Sequence, residues 1–228
     1  MLTRMGLLKM KSEWSIEEFR SHWLLRHGPL ARRLSGLRGY VQNHIVNKAF
    51  TGVDIPRDAE EYDGFSQLWF DNDAAMHAAI ATDLGRALVA DESHFIGDLR
   101  IALVQEDEIV PPANRQSLVK YMSLLTRRGN ITPERFCSEW KGPHASQARA
   151  LPGVRGYRQN LIIERQVPKG APVGYERLPI DGVSELWFDN EGACVAAFAS
   201  SEGRQMVERA RDVIVTFTTY LVEAYVIV

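Results

Sequence analysis

The chain has 228 residues, 45% of them hydrophobic and 25% charged, which fits one large or two small globular domains and excludes a disordered chain. A formal net charge of −2 provides no basic field for phosphate backbones, so no nucleic-acid partner is expected. Cys137 and Cys194 occupy unmatched positions, against a disulfide framework or thiolate metal site, and read as small buried hydrophobes. The opening Met1-Leu2-Thr3-Arg4-Met5 lacks a signal-peptide layout and no apolar run reaches membrane-spanning length, so no membrane partner and a cytoplasmic location are expected.

In chain order, Met5 to Leu8 reads as a short strand, and Ser15-Ile16-Glu17-Glu18 as a helix start with a hydroxyl N-cap and a Glu three residues on. Phe19 and Trp23, four apart, share one face of that helix and point at a sheet, and Gly28-Pro29 interrupts or kinks it. Leu37 to Asn43 begins a second strand, Asn47 to Tyr62 is a long polar excursion, and Leu68-Trp69-Phe70 ends a third strand. Ala74 to Ala90 is alanine-rich and helical in period, and Leu99 to Glu106 is a last strand. Val110-Pro111-Pro112-Ala113-Asn114-Arg115 reads as a hinge.

The pattern then repeats. Tyr121 to Leu125 is a strand; Thr132-Pro133-Glu134 starts a helix carrying Phe136 and Trp140; Val154 to Asn160 copies Leu37 to Asn43; and Leu186 to Asn190 copies Leu68 to Asn72. The excursion Glu164 to Ile180, the helical stretch Ala193 to Ala210 and the strand Phe217 to Tyr225 complete it, at offsets of 117 and 118 residues. A repeat this long is a duplicated domain, with boundaries at 1–113 and 114–228. The order β-α-β-β-α-β is the ferredoxin-like unit, α+β in class, with helices on one face of an antiparallel sheet. Two such sheets hide their bare faces by packing together, which predicts an intramolecular dimeric α+β barrel: a pseudo-dimer within one chain, with room for a further homodimer.

Laid out this way, Phe19-x3-Trp23-x3-His27-Gly28-Pro29, Gly39-Tyr40-Val41-Gln42-Asn43 and Leu68-Trp69-Phe70 resemble the EthD family of the dimeric α+β barrel superfamily, and their copies around His144, Gly156 and Leu186 make the chain similar to a tandem fusion of two EthD domains. The second half departs by placing Gly142-Pro143 before His144. The resemblance implies work on small hydrophobic or aromatic-derived compounds in catabolic or polyketide pathways, among relatives that include lactone isomerases, cofactor-free monooxygenases, dehydratases and decarboxylases. It narrows the chemistry without choosing a reaction.

Strand alternation proposes an interior. Leu68 and Phe70 suit the helix-covered side, which leaves Phe65, Gln67 and Trp69, and Val183, Glu185 and Trp187, facing the barrel. On the same logic Arg4 with Gly6, Tyr121 with Ser123, Tyr40 with Gln42 and His44, and Tyr157 with Gln159 and Leu161 are expected inside; the opposite register puts Asn43 and Asn160 there. His27 and His144 are the matched histidines and the candidate acid–base groups, with a structural role in capping the broken helix as the alternative. Arg4, Tyr40, Gln42, His44, Trp69, Tyr121, Tyr157, Gln159, Glu185 and Trp187 are the candidate substrate-binding set, His44 and Glu185 doubling as reserve acid–base groups. His22, His77 and His94 read as surface. No metal constellation, nucleophile elbow or phosphate loop appears, so the expected chemistry is cofactor-free proton transfer by a lyase or isomerase on a small hydrophobic molecule. A non-catalytic carrier or oxygenase accessory is the alternative, and a cofactor-free monooxygenase the third reading.

Overall fold

The computed structural model describes residues 1–49 and 52–228; Phe50 and Thr51, inside the first excursion, lie outside it. The first half runs β1 (Leu2–Met10), α1 (Ile16–His22), α2 (Gly28–Ala31), β2 (Leu37–Asn47), β3 (Gly64–Phe70), α3 (Asp73–Ile80), α4 (Asp83–Phe95) and β4 (Ile96–Val110). The second runs β5 (Val119–Arg127), α5 (Pro133–Glu139), α6 (Ala145–Arg149), β6 (Gly156–Gln166), β7 (Gly182–Phe188), α7 (Glu191–Ala199), α8 (Ser201–Arg211) and β8 (Ile214–Val226).

The eight strands close into one barrel in the order β1-β3-β2-β8-β5-β7-β6-β4. Neighbours are antiparallel throughout, and the halves are joined by hydrogen-bonded pairing of β2 with β8 and of β4 with β6. Closure removes every sheet edge, which is how this fold avoids edge-to-edge association. The barrel carries an apolar core of Met5, Leu7, Phe65, Ala102, Val104, Met122, Leu124, Val183, Tyr220 and Val222.

Each sheet therefore has two dry faces, and this is why alternation misassigned four strands. Polar residues on β1, β2, β5 and β6 were expected inside the barrel; instead Met5, Leu7, Met122 and Leu124 point inward, and Arg4, Tyr40, Gln42, His44, Tyr121, Tyr157 and Gln159 face the helices. Tyr40 packs with Ala31, Leu34 and Leu88, and Tyr121 and Tyr157 pack with Ala148, Cys194 and Met206. Gln42 Nε2 donates to the Trp23 carbonyl at 2.7 Å, and Gln159 Nε2 repeats this on Trp140 at 2.7 Å. The alternative register for the second strands is the observed one: Asn43 and Asn160 are fully buried and bond the carbonyls of Phe65 and Val183 across the inner strands. β3 and β7 follow the expectation, with Gln67 and Glu185 bonded to each other inside.

Helix details depart in two ways. Between α1 and α2, and between α5 and α6, the chain widens into one π-helical turn, Trp23–His27 and Trp140–His144, rather than breaking at proline. The expected single helices over 74–90 and 193–210 are each two, because the Thr82 and Ser200 side chains accept from the backbone N–H of Gly85 and Gly203 and start new helices.

The two excursions, expected as solvated loops or lids, are anchored. Tyr62, Leu178 and Ile180 join the barrel core, Ile55 packs against Phe136 and Trp140 of the other half, and Arg57 Nη1 donates to the Thr219 carbonyl at 2.8 Å. They stop one end of the barrel. Among the described residues no helix is long and apolar enough to cross a membrane.

Candidate active site

The π-turn decides where His27 goes. By adding a residue to the turn it rolls the imidazole under the helix onto the outer face of the first sheet, where the residue is 5% exposed. From α4, one helix over, Asp91 reaches both neighbouring histidines: Oδ2 meets His27 Nδ1 at 2.9 Å and Oδ1 meets His22 Nε2 at 2.9 Å. A carboxylate only accepts, so His27 carries its proton on Nδ1 toward Asp91 and, when neutral, presents the Nε2 lone pair on its other side. Burial pushes the His27 pKa down, against the opposing pull of Asp91, which favours the neutral, basic ring. His22, expected at the surface, is thus half-buried and part of this cluster.

His27 lines a small cavity of about 20 Å³ together with Arg4, Tyr40, Ser66, Glu92 and apolar Trp23, Leu68, Leu88 and Leu99. Arg4 is 6% exposed and its Nη2 has no hydrogen-bond partner among the described residues. A buried guanidinium nitrogen without an acceptor is costly, and such groups mark places built for something else to occupy. Burial lowers the Arg4 pKa against the raising influence of Glu92. Glu92 in turn is held by Lys169, 2.5 Å away, which arrives from the β6–β7 connection of the second half. Burial pushes the Lys169 pKa down, and the nearby Arg4 charge adds to this. The Tyr40 hydroxyl accepts from Trp23 Nε1 at 2.9 Å and Gln42 Nε2 at 3.2 Å; burial raises its pKa, so it is a neutral hydroxyl with its own proton to donate.

The second half does not repeat this chemistry. Aligned through the strand pairings, Arg4 corresponds to Tyr121, Asp91 to Arg209 and Glu92 to Ala210. His144 consequently faces a cation instead of a carboxylate; burial, then Arg209, brings its pKa down to about 4. The hole beside it is lined by Leu125, Phe136, Trp140, Val213 and Ile214.

Of the expected site residues, the structure brings His27, Arg4 and Tyr40 together in the first half. Gln42 and His44 buttress the same layer: His44 donates from Nε2 to Gln42 Oε1 at 3.0 Å and stacks on Trp23 at 4.6 Å. Tyr121, Tyr157, Gln159 and His144 lie in the opposite helical layer. Trp69, Glu185 and Trp187 lie in the barrel, at its open end. There Glu185 Oε2 and Lys120 Nζ form a buried ion pair at 2.6 Å, within a belt of Asn43, Gln67 and Asn160. Sequence reasoning missed Asp91, Glu92 and Lys120. Asp91 was recoverable only as a carboxylate on α4 whose counterpart is Arg209, and Lys120 only as a cation within the apolar run Val119 to Leu125. Among the described residues no three His, Cys, Asp or Glu side chains cluster as metal ligands would.

Solved structures share the whole architecture at low identity, which speaks to the fold alone. A provisionally named monooxygenase from Lactobacillus acidophilus NCFM is 12% identical over 99% of this chain and 94% of its own, with a TM-score of 0.59. An anthrone oxidase-like protein is 11% identical over 99% and 93%, at 0.64. A variant chlorite dismutase from Candidatus Nitrospira defluvii is 10% identical over 97% and 91%, at 0.51. Among curated proteins none matches the chain in sequence. The EthD domain model matches residues 11–98 and again 128–218, most of each half. The chain belongs to the EthD family and carries its domain twice, closed into a single α+β barrel.

Proposed function

We propose that this protein is a cofactor-independent isomerase or lyase that moves a proton on a small hydrophobic carbonyl or lactone compound, and that the reaction occurs in the helix–sheet cavity of the first half. The observation that carries the reading is that His27, paired to Asp91 at 2.9 Å, lines the same cavity as Arg4, whose Nη2 has no hydrogen-bond partner among the described residues. His27 Nε2 removes a proton from the carbon next to the carbonyl; the C–H electrons form the enolate; Arg4 and the Tyr40 hydroxyl stabilise the oxygen on which charge develops. The imidazolium, steadied by Asp91, returns the proton to another carbon for isomerisation, or to a departing group for elimination. His144, facing Arg209, serves structure instead.

As it stands the cavity has room for one water-sized group, so the proposed reaction requires the helix layer to open around substrate, with the Lys169–Glu92 ion pair as the contact that ties α4 to the second half. α-Tetralone, an enolisable aromatic ketone, tests the reading. In deuterium oxide the protein should exchange its C2 protons faster than buffer, followed by NMR, and Asp91→Asn should slow exchange by about 10- to 100-fold while leaving the melting temperature nearly unchanged. Equal exchange in both proteins would remove the pair from the chemistry. A second reading, oxidation of the same enolate by dioxygen, shares His27 and Arg4 and is separated by oxygen uptake accompanying turnover. A carrier role predicts binding of the ketone with no exchange at all.

A further inference from the structure

The open end of the barrel holds a cleft of about 500 Å³, in the size range of sites for drug-sized ligands. Its walls are Trp69 and Trp187 with Val41, Val222 and Ala224. Gly39 and Gly156 let the two indoles lie flat against β2 and β6, since a Cβ there would come within 3.0 Å and 2.9 Å of the ring carbons. The floor is the Lys120–Glu185 belt. Lys120 is saturated by Asn43, Gln67 and Glu185 and has nothing to offer a ligand.

Arg158 is different. It is 8% exposed, its terminal nitrogens pair with Glu106 at 3.0 Å and Glu108 at 2.8 Å, and its Nε, buried at the cleft, has no hydrogen-bond partner among the described residues. Arg158 lies over the buried Trp187 ring, so one buried donor beside the apolar Trp69 wall calls for one acceptor oxygen on a flat ring. The lining charges balance, Arg115, Lys120 and Arg158 against Glu185, Glu191 and Glu223, so no net field favours an ion.

We propose that the open end of the barrel is a second ligand site, distinct from the helix-layer cavity, which takes an uncharged planar aromatic compound with its rings along Trp69, Val222 and Ala224 and a carbonyl oxygen on Arg158 Nε. The site goes beyond the catalytic reading and stands or falls without it.

The probe is 2-acetylnaphthalene, with 2-ethylnaphthalene as its oxygen-free analogue, titrated calorimetrically against the full chain. A saturable site at the open end is expected, in addition to any binding of the ketone in the helix-layer cavity, and it should hold the ketone more tightly than the hydrocarbon. Arg158→Lys keeps the cation but loses Nε; it should weaken the ketone by about 3- to 10-fold, the worth of one hydrogen bond, and leave the hydrocarbon unchanged. Ala224→Trp, at an exposed strand end, fills the cleft and should abolish binding of the hydrocarbon and the open-end binding of the ketone, which keeps the test intact if Arg158→Lys does not fold. Absence of saturable binding of either compound, or binding of the hydrocarbon that survives Ala224→Trp, would overturn the proposal.

Discussion

Glu185→Gln removes the counter-charge of Lys120 while keeping a carbonyl in place for the amides of Gln67 and Asn160, which meet the native carboxylate at 2.8 Å each. Both members of the pair are almost fully out of solvent, so the variant strands an ammonium in the barrel, a loss of about 3–5 kcal/mol for a buried pair broken on one side. For a chain of this size that is a fall in melting temperature of roughly 6–20 °C. Lys120→Met alone should cost a similar amount. The double variant leaves only the Asn43 and Gln67 acceptors short of a donor, and should cost about 2–4 kcal/mol, so the cycle returns a coupling of at least about 2 kcal/mol. Urea unfolding of the four proteins measures it. There is also a pH signature. Burial alone would raise the Glu185 carboxyl, but the Lys120 and Arg158 charges outweigh it and hold it at about 2. The stabilisation is therefore complete above the ordinary carboxylate range and is lost as pH falls through that range toward about 2, and the Gln variant lacks this loss. Additive single-variant costs would refute the reasoning.

His44 supplies a second acid-sensitive element: burial, then Arg20, brings it down to about 4 from an unfolded value of about 6.5, so stability should fall by roughly 3 kcal/mol as pH drops across that window. His44→Leu, the residue found at the matching position 161, should remove this part of the slope; an unchanged acid limb in urea midpoints would contradict it. Gly64→Ala and Gly182→Ala would each drive a methyl into the ring of Trp23 or Trp140, and each should cost about 1–3 kcal/mol by denaturant unfolding, whereas a neutral result would show that the indoles yield freely. Lys169→Ala releases α4 from the second half, and amide hydrogen exchange at the C-terminal half of α4 should quicken while β2 is unchanged; equal protection would argue against a latch.

The duplicated βαββαβ order was legible because each half spells out its own caps, glycines and aromatic spacing, and the barrel follows from two half-covered sheets. The strand faces were less legible. A strand dry on both sides carries polar groups on either, so Gln42 and Tyr40 looked like lining when they anchor the π-turn, while Asn43, equally polar, is the one inside. The two helix breaks at Thr82 and Ser200 hid inside alanine-rich periodicity, where a single capping hydroxyl outweighs propensity. His27 was visible as a matched residue, but its partner was not: Asp91 lies 64 positions away, and only the packing of α4 against the π-turn joins them. The same distance concealed that the second half has Arg209 there.

The central claim is that proton transfer belongs to the first half alone. His27→Asn and His144→Asn, compared side by side for deuterium exchange into α-tetralone with melting curves on the same samples, test it most directly. The account predicts that His27→Asn lowers the exchange rate by roughly two to four orders of magnitude with the fold intact, whereas His144→Asn leaves the rate per folded molecule unchanged. Equal losses in both variants, or a loss confined to His144→Asn, would contradict it.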